Sequence, residues 1–186
     1  MKKAYEMEIA GLKRHLPLCR INDNLYIGAF IMFSDVEITK ACASELLKKA
    51  PEHDIMITAE CKGIPLLYEM ARQENATDYI VARKAPKLYM DNVITCMVKS
   101  ITTDHVQTLC LGEEEALKLK DKKVLIVDDV ISTGESLKTL EELVKKAGGN
   151  IVGKMAVLAE GEAADRDDII FLEKLPLFDA EGNTID

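Results

Sequence analysis

Residues 123–136, KVLIVDDVISTGES, constrain the fold more than any other stretch of this chain. Four consecutive apolar residues, Val124 to Val127, call for burial on both faces, the environment of a strand inside a parallel sheet. The strand runs straight into two adjacent carboxylates, Asp128 and Asp129, and then into a turn stripped of bulk, Ser132, Thr133, Gly134, Glu135 and Ser136. A helical pattern follows, with Leu137, Leu140, Val144 and Ala147 on one face and Gly148 and Gly149 closing it. In an open parallel sheet, ligands sit beyond the carboxyl ends of the strands. A small-residue turn at a helix N-terminus makes a phosphate cradle from backbone N–H groups, hydroxyls and the positive helix end. Two carboxylates beside a phosphate repel it unless they face another part of the same ligand. Ribose hydroxyls, which donate hydrogen bonds, or a bridging divalent ion meet that condition. The stretch reads as a site for a sugar phosphate.

Rival readings fare worse. A Walker loop requires a Lys after its second Gly, and none is present. A response-regulator receiver also carries LIVDD, but near its own N-terminus, and too few residues follow Asp129 here for the rest of such a domain. An ordinary strand and turn with solvated acids leaves the Ser-Thr-Gly turn unexplained.

The remaining chain supplies matching elements. Ser34 with Glu37 fits a capping box, which predicts a helix from there to Pro51. Residues 54–58 (DIMIT) and 78–83 (DYIVAR) read as short buried strands around a helix, IPLLYEMARQE, that tolerates Pro65 in its first turn. Residues 84–110, rich in Thr, Val and Ile, predict a two-stranded excursion, and GEEEALKLK a short polar helix. IVGKMAVLAE is another buried strand, and the tail holds one or two short ones. Strands alternating with helices predict one α/β domain over residues 1–186 with a parallel core sheet. The net charge of −8 disfavours nucleic acid and anionic membranes as partners, so an anionic ligand must be met by local cations, amides or a metal ion. No apolar run reaches the roughly 18–20 residues of a membrane helix, and acids interrupt the place of a signal peptide's apolar region. Five scattered cysteines without a C-x-x-C fit reduced thiols, and with them a cytoplasmic location.

The motif VLIVDDVISTGES resembles the phosphoribosyl-pyrophosphate (PRPP) motif of the type I phosphoribosyltransferases. AECKG (59–63) resembles that family's pyrophosphate loop, ARKAPKLYMDN (82–92) the opening of its flexible catalytic loop, and GEAADRDD (161–168) the Arg-containing segment after the last core strand. The resemblance is to the adenine and xanthine members and covers most of residues 18–178. It implies the type I phosphoribosyltransferase fold: a parallel core sheet flanked by helices, a flexible β-hairpin loop at about 84–110, and a small hood from about 18–33 and 160–186. By the resemblance, Asp128 and Asp129 bind the ribose hydroxyls, and Ser132, Thr133, Gly134, Glu135 and Ser136 wrap the 5′-phosphate. Cys61, Lys62 and Gly63 hold the pyrophosphate in a loop that often contains a non-proline cis peptide. Arg83, Lys84 and Lys87 close over the leaving group, Arg83 from a neighbouring subunit, and Lys87 joins the two acids in the catalytic set. Mg²⁺ is the implied cofactor, held mainly by PRPP with no direct protein ligand, and the implied assembly is a homodimer.

The implied reaction transfers 5-phosphoribosyl from PRPP to a purine base and releases pyrophosphate. Two positions bear on which base. Thr102 stands where adenine members commonly carry a Glu proposed as general acid or base, and Asp104 and His105 lie just beyond it. Glu160 stands where xanthine members carry a Lys that donates to a base carbonyl; a carboxylate accepts instead, and suits an exocyclic amine. The expectation is adenine, giving AMP in purine salvage, with xanthine as the alternative. Phe30 and Phe33, with Tyr26, Leu177 and Phe178, are the candidates to cover the base. A different class of function, a non-catalytic PRPP or nucleotide-binding regulator, lacks support from any helix-turn-helix pattern or basic surface.

Overall fold

The structure, a computed structural model, describes residues 4–99 and 106–185. In chain order the elements are β1 (Ala4–Ile9), β2 (Leu12–Arg20), β3 (Tyr26–Gly28), α1 (Val36–Leu47), β4 (Ile55–Ala59), α2 (Ile64–Glu74) and β5 (Ile80–Ala82). There follow β6 (Ile94–Lys99), β7 (Val106–Leu111), α3 (Glu113–Leu119), β8 (Lys123–Ile131), α4 (Glu135–Lys146) and β9 (Asn150–Glu160). A 3-10 turn (Gly161–Asp165), β10 (Ile170–Leu175) and β11 (Leu177–Phe178) complete it.

The core is a five-stranded sheet in the order β10-β9-β8-β4-β5, every neighbouring pair parallel. The apolar run of β8 is buried because both faces are covered. Leu125 and Val127 join a cluster with Ile38 and Leu46 of α1 and Leu66 and Met70 of α2. Val124 and Ile126 join a second cluster with Leu137, Leu140, Leu143 and Val144 of α4. Burying a Val or Leu side chain stabilises by about 1.5–3 kcal/mol, so this alternation fixes the strand's register against both layers. The chain leaves β4 toward β5 on one side and β8 toward β9 on the other. The carboxyl ends of β4 and β8 therefore flank the crevice where an α/β sheet binds its ligand.

α1 differs from its sequence pattern at the start. Its cap is Asp35, whose Oδ1 accepts from the amide of Ile38 at 3.1 Å, and Ser34 lies one residue earlier with φ +68°. The reason is long-range: Arg14 on β2 donates through Nε to Asp35 Oδ2 at 2.7 Å and through Nη2 to Glu37 at 2.8 Å. A local capping box cannot register that partner. α2 begins where the sequence places it, with Pro65 in its first turn, and ends on Asn75 in the left-handed region.

A second, antiparallel sheet runs β1-β2-β3-β11. The β1–β2 hairpin turns through Ala10 and Gly11, both at positive φ. Met7, Ile9 and Leu16 face the core cluster beside α1 and α2, and Tyr5 packs on Phe178 with ring centroids 5.0 Å apart. This sheet begins at Ala4, well before the 18–33 stretch assigned to the hood, and β10 pairs in the central sheet instead. β6 and β7 form the antiparallel excursion, with Ile94 opposite Leu111 and Lys99 opposite Val106. The excursion is fastened to the central sheet by reciprocal backbone bonds between Arg83 and Cys110, 2.9 and 2.8 Å long. Among the described residues, no helix is long and apolar enough to cross a membrane.

Candidate active site

Two loops meet beyond the sheet. The loop after β4 contributes Glu60, Cys61 and Lys62, and the end of β8 contributes Asp128, Asp129 and Val130. Together with Lys84, Thr108, Leu109 and Ser136 they line a cavity of about 470 Å³. Asp128, Val130 and Ser136 also border a smaller cup of about 110 Å³, walled by Ser132, Thr133, Gly134 and Glu135. Gly134 has φ +78°, a conformation glycine adopts without strain, and it opens the first turn of α4 toward the cup. Sequence-predicted residues from both segments thus come together around one continuous depression.

The two acids differ in environment. Asp129 is 3% exposed, and its Oδ2 lies 2.8 Å from Lys62 Nζ, an ion pair that joins the two loops across the cavity. Asp128 Oδ1 accepts from the amide of Asp129 at 2.9 Å. Burial, and next the charge of Asp129, hold the Asp128 carboxyl above the ordinary carboxylate range; the amide bond and Lys62 oppose that shift without cancelling it. With Lys62 on Asp129 and Asp128 inclined toward its protonated form, the buried acids present carboxyl oxygens that favour a ligand donating hydrogen bonds.

The cations on the other side gather on an acid that sequence reasoning passed over. Glu60 Oε2 accepts from the amide of Lys84 at 3.1 Å, and its Oε1 lies 3.4 Å from Arg83 Nη2. The Lys84 amide first, then the charges of Arg83, Lys87 and Lys84, hold the Glu60 carboxyl below its usual range. Arg83 thus pairs with Glu60 of its own chain. Glu60 stands inside the quoted AECKG, but its role depends on a turn 24 residues away, which no local pattern displays. The Glu60–Cys61 peptide is cis. Gly63 is also fixed by contact: a Cβ there would lie 2.3 Å from the hydroxyl of Thr58 and 3.2 Å from Asp128 Oδ1. Thr58, another residue missed from sequence, is fully buried at the root of the site.

The base-covering candidates do not assemble in this way. Phe30 is 4% exposed and packed in the core cluster with Met32 and Ile38, and it lines neither the cavity nor the cup. Phe33 is 45% exposed and lines neither the cavity nor the cup. Glu160 closes β9 in register with Leu175 of β10, at the same end of the sheet as the acids. Thr102, Asp104 and His105 lie outside the described residues.

Comparison with known proteins agrees with this geometry. Relatives include an adenine phosphoribosyltransferase of Rhodococcus jostii, 28% identical, covering 78% of this chain and 78% of that protein. A xanthine phosphoribosyltransferase of Lactobacillus delbrueckii is 26% identical, covering 75% of this chain and 65% of the relative. The purine biosynthesis transcriptional repressor PurR of Bacillus subtilis is 26% identical over 74% of this chain, which spans only 49% of the repressor. Among solved structures, the adenine phosphoribosyltransferase of Thermoanaerobacter pseudethanolicus superposes with a TM-score of 0.64 at 20% identity, covering 77% of this chain and 84% of that one. The model of the phosphoribosyl transferase domain matches residues 36–183, which contain both loops of the cavity, and the chain belongs to that family.

Proposed function

We propose that the protein is a purine phosphoribosyltransferase that uses PRPP, with adenine as the base, acting in cytoplasmic purine salvage. The observation that carries the reading is the junction of three surfaces of different charge in one depression. The small cup fits a 5′-phosphate, the buried acids fit ribose hydroxyls, and Lys62 with the Arg83–Lys87 turn fits a pyrophosphate. A base nitrogen attacks C1 of the ribose and gives up its proton to solvent, the bond from C1 to the pyrophosphate oxygen breaks, and its electron pair leaves with pyrophosphate. Positive charge grows on the ribose ring, above Asp128 and Asp129. Negative charge grows on the leaving group, where Lys62, Lys84 and Lys87 stabilise it. Glu60 keeps Arg83 and Lys84 oriented between turnovers. Closure of the excursion over the site excludes the water that would hydrolyse PRPP.

Mg²⁺ would arrive on the pyrophosphate of PRPP, held mainly by the substrate. Bound there, the ion supplies charge neutralisation of the leaving group. Glu160 supports adenine, because a carboxylate at the end of β9 accepts from an exocyclic amine and repels a carbonyl. A homodimer is part of the proposal, and a sedimentation velocity run showing a fully active monomer at micromolar concentration refutes that part.

The test is pyrophosphate release from PRPP and Mg²⁺ with adenine, guanine, hypoxanthine, xanthine and orotate in turn. Turnover with adenine above all others is the expected result. Preference for xanthine overturns the base assignment and leaves the reaction standing. PRPP binding without turnover on any base favours the regulator reading, for which the PurR relative is the specific motive.

A further inference from the structure

Resting on the phosphoribosyl-transfer reading, we propose that Arg166 belongs to the 5′-phosphate site, as a positioning residue that braces the Gly134 turn and balances its charge. Nothing in the loop itself provides that balance. Residues 132–136, Ser-Thr-Gly-Glu-Ser, contain no Lys or Arg, and Glu135 adds a carboxylate to a turn meant to receive an anion. Backbone N–H groups and the helix end attract a phosphate, but an acid in the same turn works against them.

Arg166 approaches this turn from the segment after β9. A Cβ built on Gly134 would lie 2.7 Å from Arg166 Nη1, so backbone and guanidinium are already in contact. The glycine adopts its φ of +78° without strain and leaves the room the guanidinium occupies. The guanidinium is not loosely placed. Its Nε and Nη2 donate to the two oxygens of Asp168, both at 2.8 Å, a fork that fixes its plane and leaves Nη1 toward the loop. Asp168 is held in turn by Lys154, and Lys154 by Glu141 of α4 at 3.2 Å. Lys154 and Glu141 are 16% and 21% exposed, so this chain of charges is partly sheltered from solvent. It runs from the segment after β9 back to the helix whose first turn is the phosphate loop. One helix therefore carries both the loop and an anchor of the network that aims Arg166 at it. A purely structural ion-pair cluster has no need to press its guanidinium against a glycine at the rim of the cup.

The test measures binding of ribose 5-phosphate and of pyrophosphate separately, by calorimetry, on the wild type and on Arg166→Ala. Ribose 5-phosphate reports the cup, and pyrophosphate reports the opposite loop. The expected result is a roughly tenfold weaker affinity for ribose 5-phosphate, with pyrophosphate affinity changed less than about twofold. In turnover, KM for PRPP rises while kcat stays within about threefold. Arg166→Lys, which keeps the charge without the fork, recovers at least half of the loss on a logarithmic scale. Arg166→Gln, which keeps length without charge, behaves as the alanine variant and carries the test if truncation prevents folding. Unchanged ribose 5-phosphate affinity in a folded neutral variant overturns the proposal. So does an equal loss for both ligands, or a lysine variant with no recovery. A wild type that binds neither ligand and turns over no base refutes the phosphoribosyl-transfer reading itself, a distinct outcome.

Discussion

Asp129→Asn separates a ligand-binding acid from a structural one, because the structure makes the two effects oppose each other. In the folded protein Asp129 is buried beside Asp128, and its one cation, Lys62, is half exposed. Losing that ion pair costs at most about 1 kcal/mol, since a half-solvated partner is well screened. Removing the charge also relieves Asp128, whose carboxyl is raised by burial and then by its neighbour. Relief of that repulsion offsets the lost ion pair. The net expectation is a folded state unchanged or more stable by about 1 kcal/mol, a rise in Tm of roughly 2–4 °C for a chain of this size. The sign of the pH dependence follows. A folded pKa raised above its unfolded value gives stability that is present at low pH and lost as pH rises through the raised value. The wild type should therefore lose stability from about pH 4 upward, and the Asn variant should lose less, so their Tm difference widens toward neutral pH. Function moves the other way. Charge-assisted hydrogen bonds to ribose hydroxyls contribute about 1.5–3 kcal/mol, so kcat/KM for PRPP should fall roughly ten- to a hundredfold. The assays are pyrophosphate release at varied PRPP and thermal melts from pH 4 to 8. A variant with unchanged PRPP kinetics and a lower Tm would falsify the assignment of Asp129 to the ribose.

Gly63→Ala should cost about 1–3 kcal/mol of stability and at least tenfold in kcat/KM, because its Cβ meets the buried Thr58 hydroxyl at 2.3 Å. Adding Thr58→Ala should restore part of the lost Tm, and a single variant as stable and active as wild type refutes the contact. Asp35→Ala should lower stability by about 1–2 kcal/mol at pH 7, through loss of the α1 cap and of the Arg14 pair. Arg14 holds the Asp35 carboxyl below its usual range, so that stability is present above the ordinary carboxylate pKa and lost as pH falls through the depressed one. Melts of both proteins should accordingly converge below about pH 4, and a gap that stays constant with pH refutes the role of its charge.

What the sequence made legible is what local pattern encodes. The strand of KVLIVDDV and the helices after it and after Gly63 stand where apolar period and turn residues place them, and the excursion expected over 84–110 contains strands at Ile94–Lys99 and Val106–Leu111. Contacts made between distant segments were not legible. Asp35 displaces Ser34 as cap because Arg14 reaches it from another sheet. Glu60 gains its partner only where Lys84 folds back on it, and Phe30, a candidate to cover the base, packs in the core cluster. Thr58 looked like one more strand residue, and its importance comes from Gly63 lying against it.

The pairing of β11 with β3, Leu177 with Ile27 and Phe178 with Tyr26, joins segments about 150 residues apart. On a ribosome, such a ladder stays open until nearly all of the domain has emerged. Until then the β3 edge stays unpaired and Tyr5 lacks the ring of Phe178 to pack on. Asp128 and Asp129 on β8 and the loop after β4 emerge before this edge can close. A nascent chain stalled before Leu177 therefore carries both loops of the cavity but an open edge at β3.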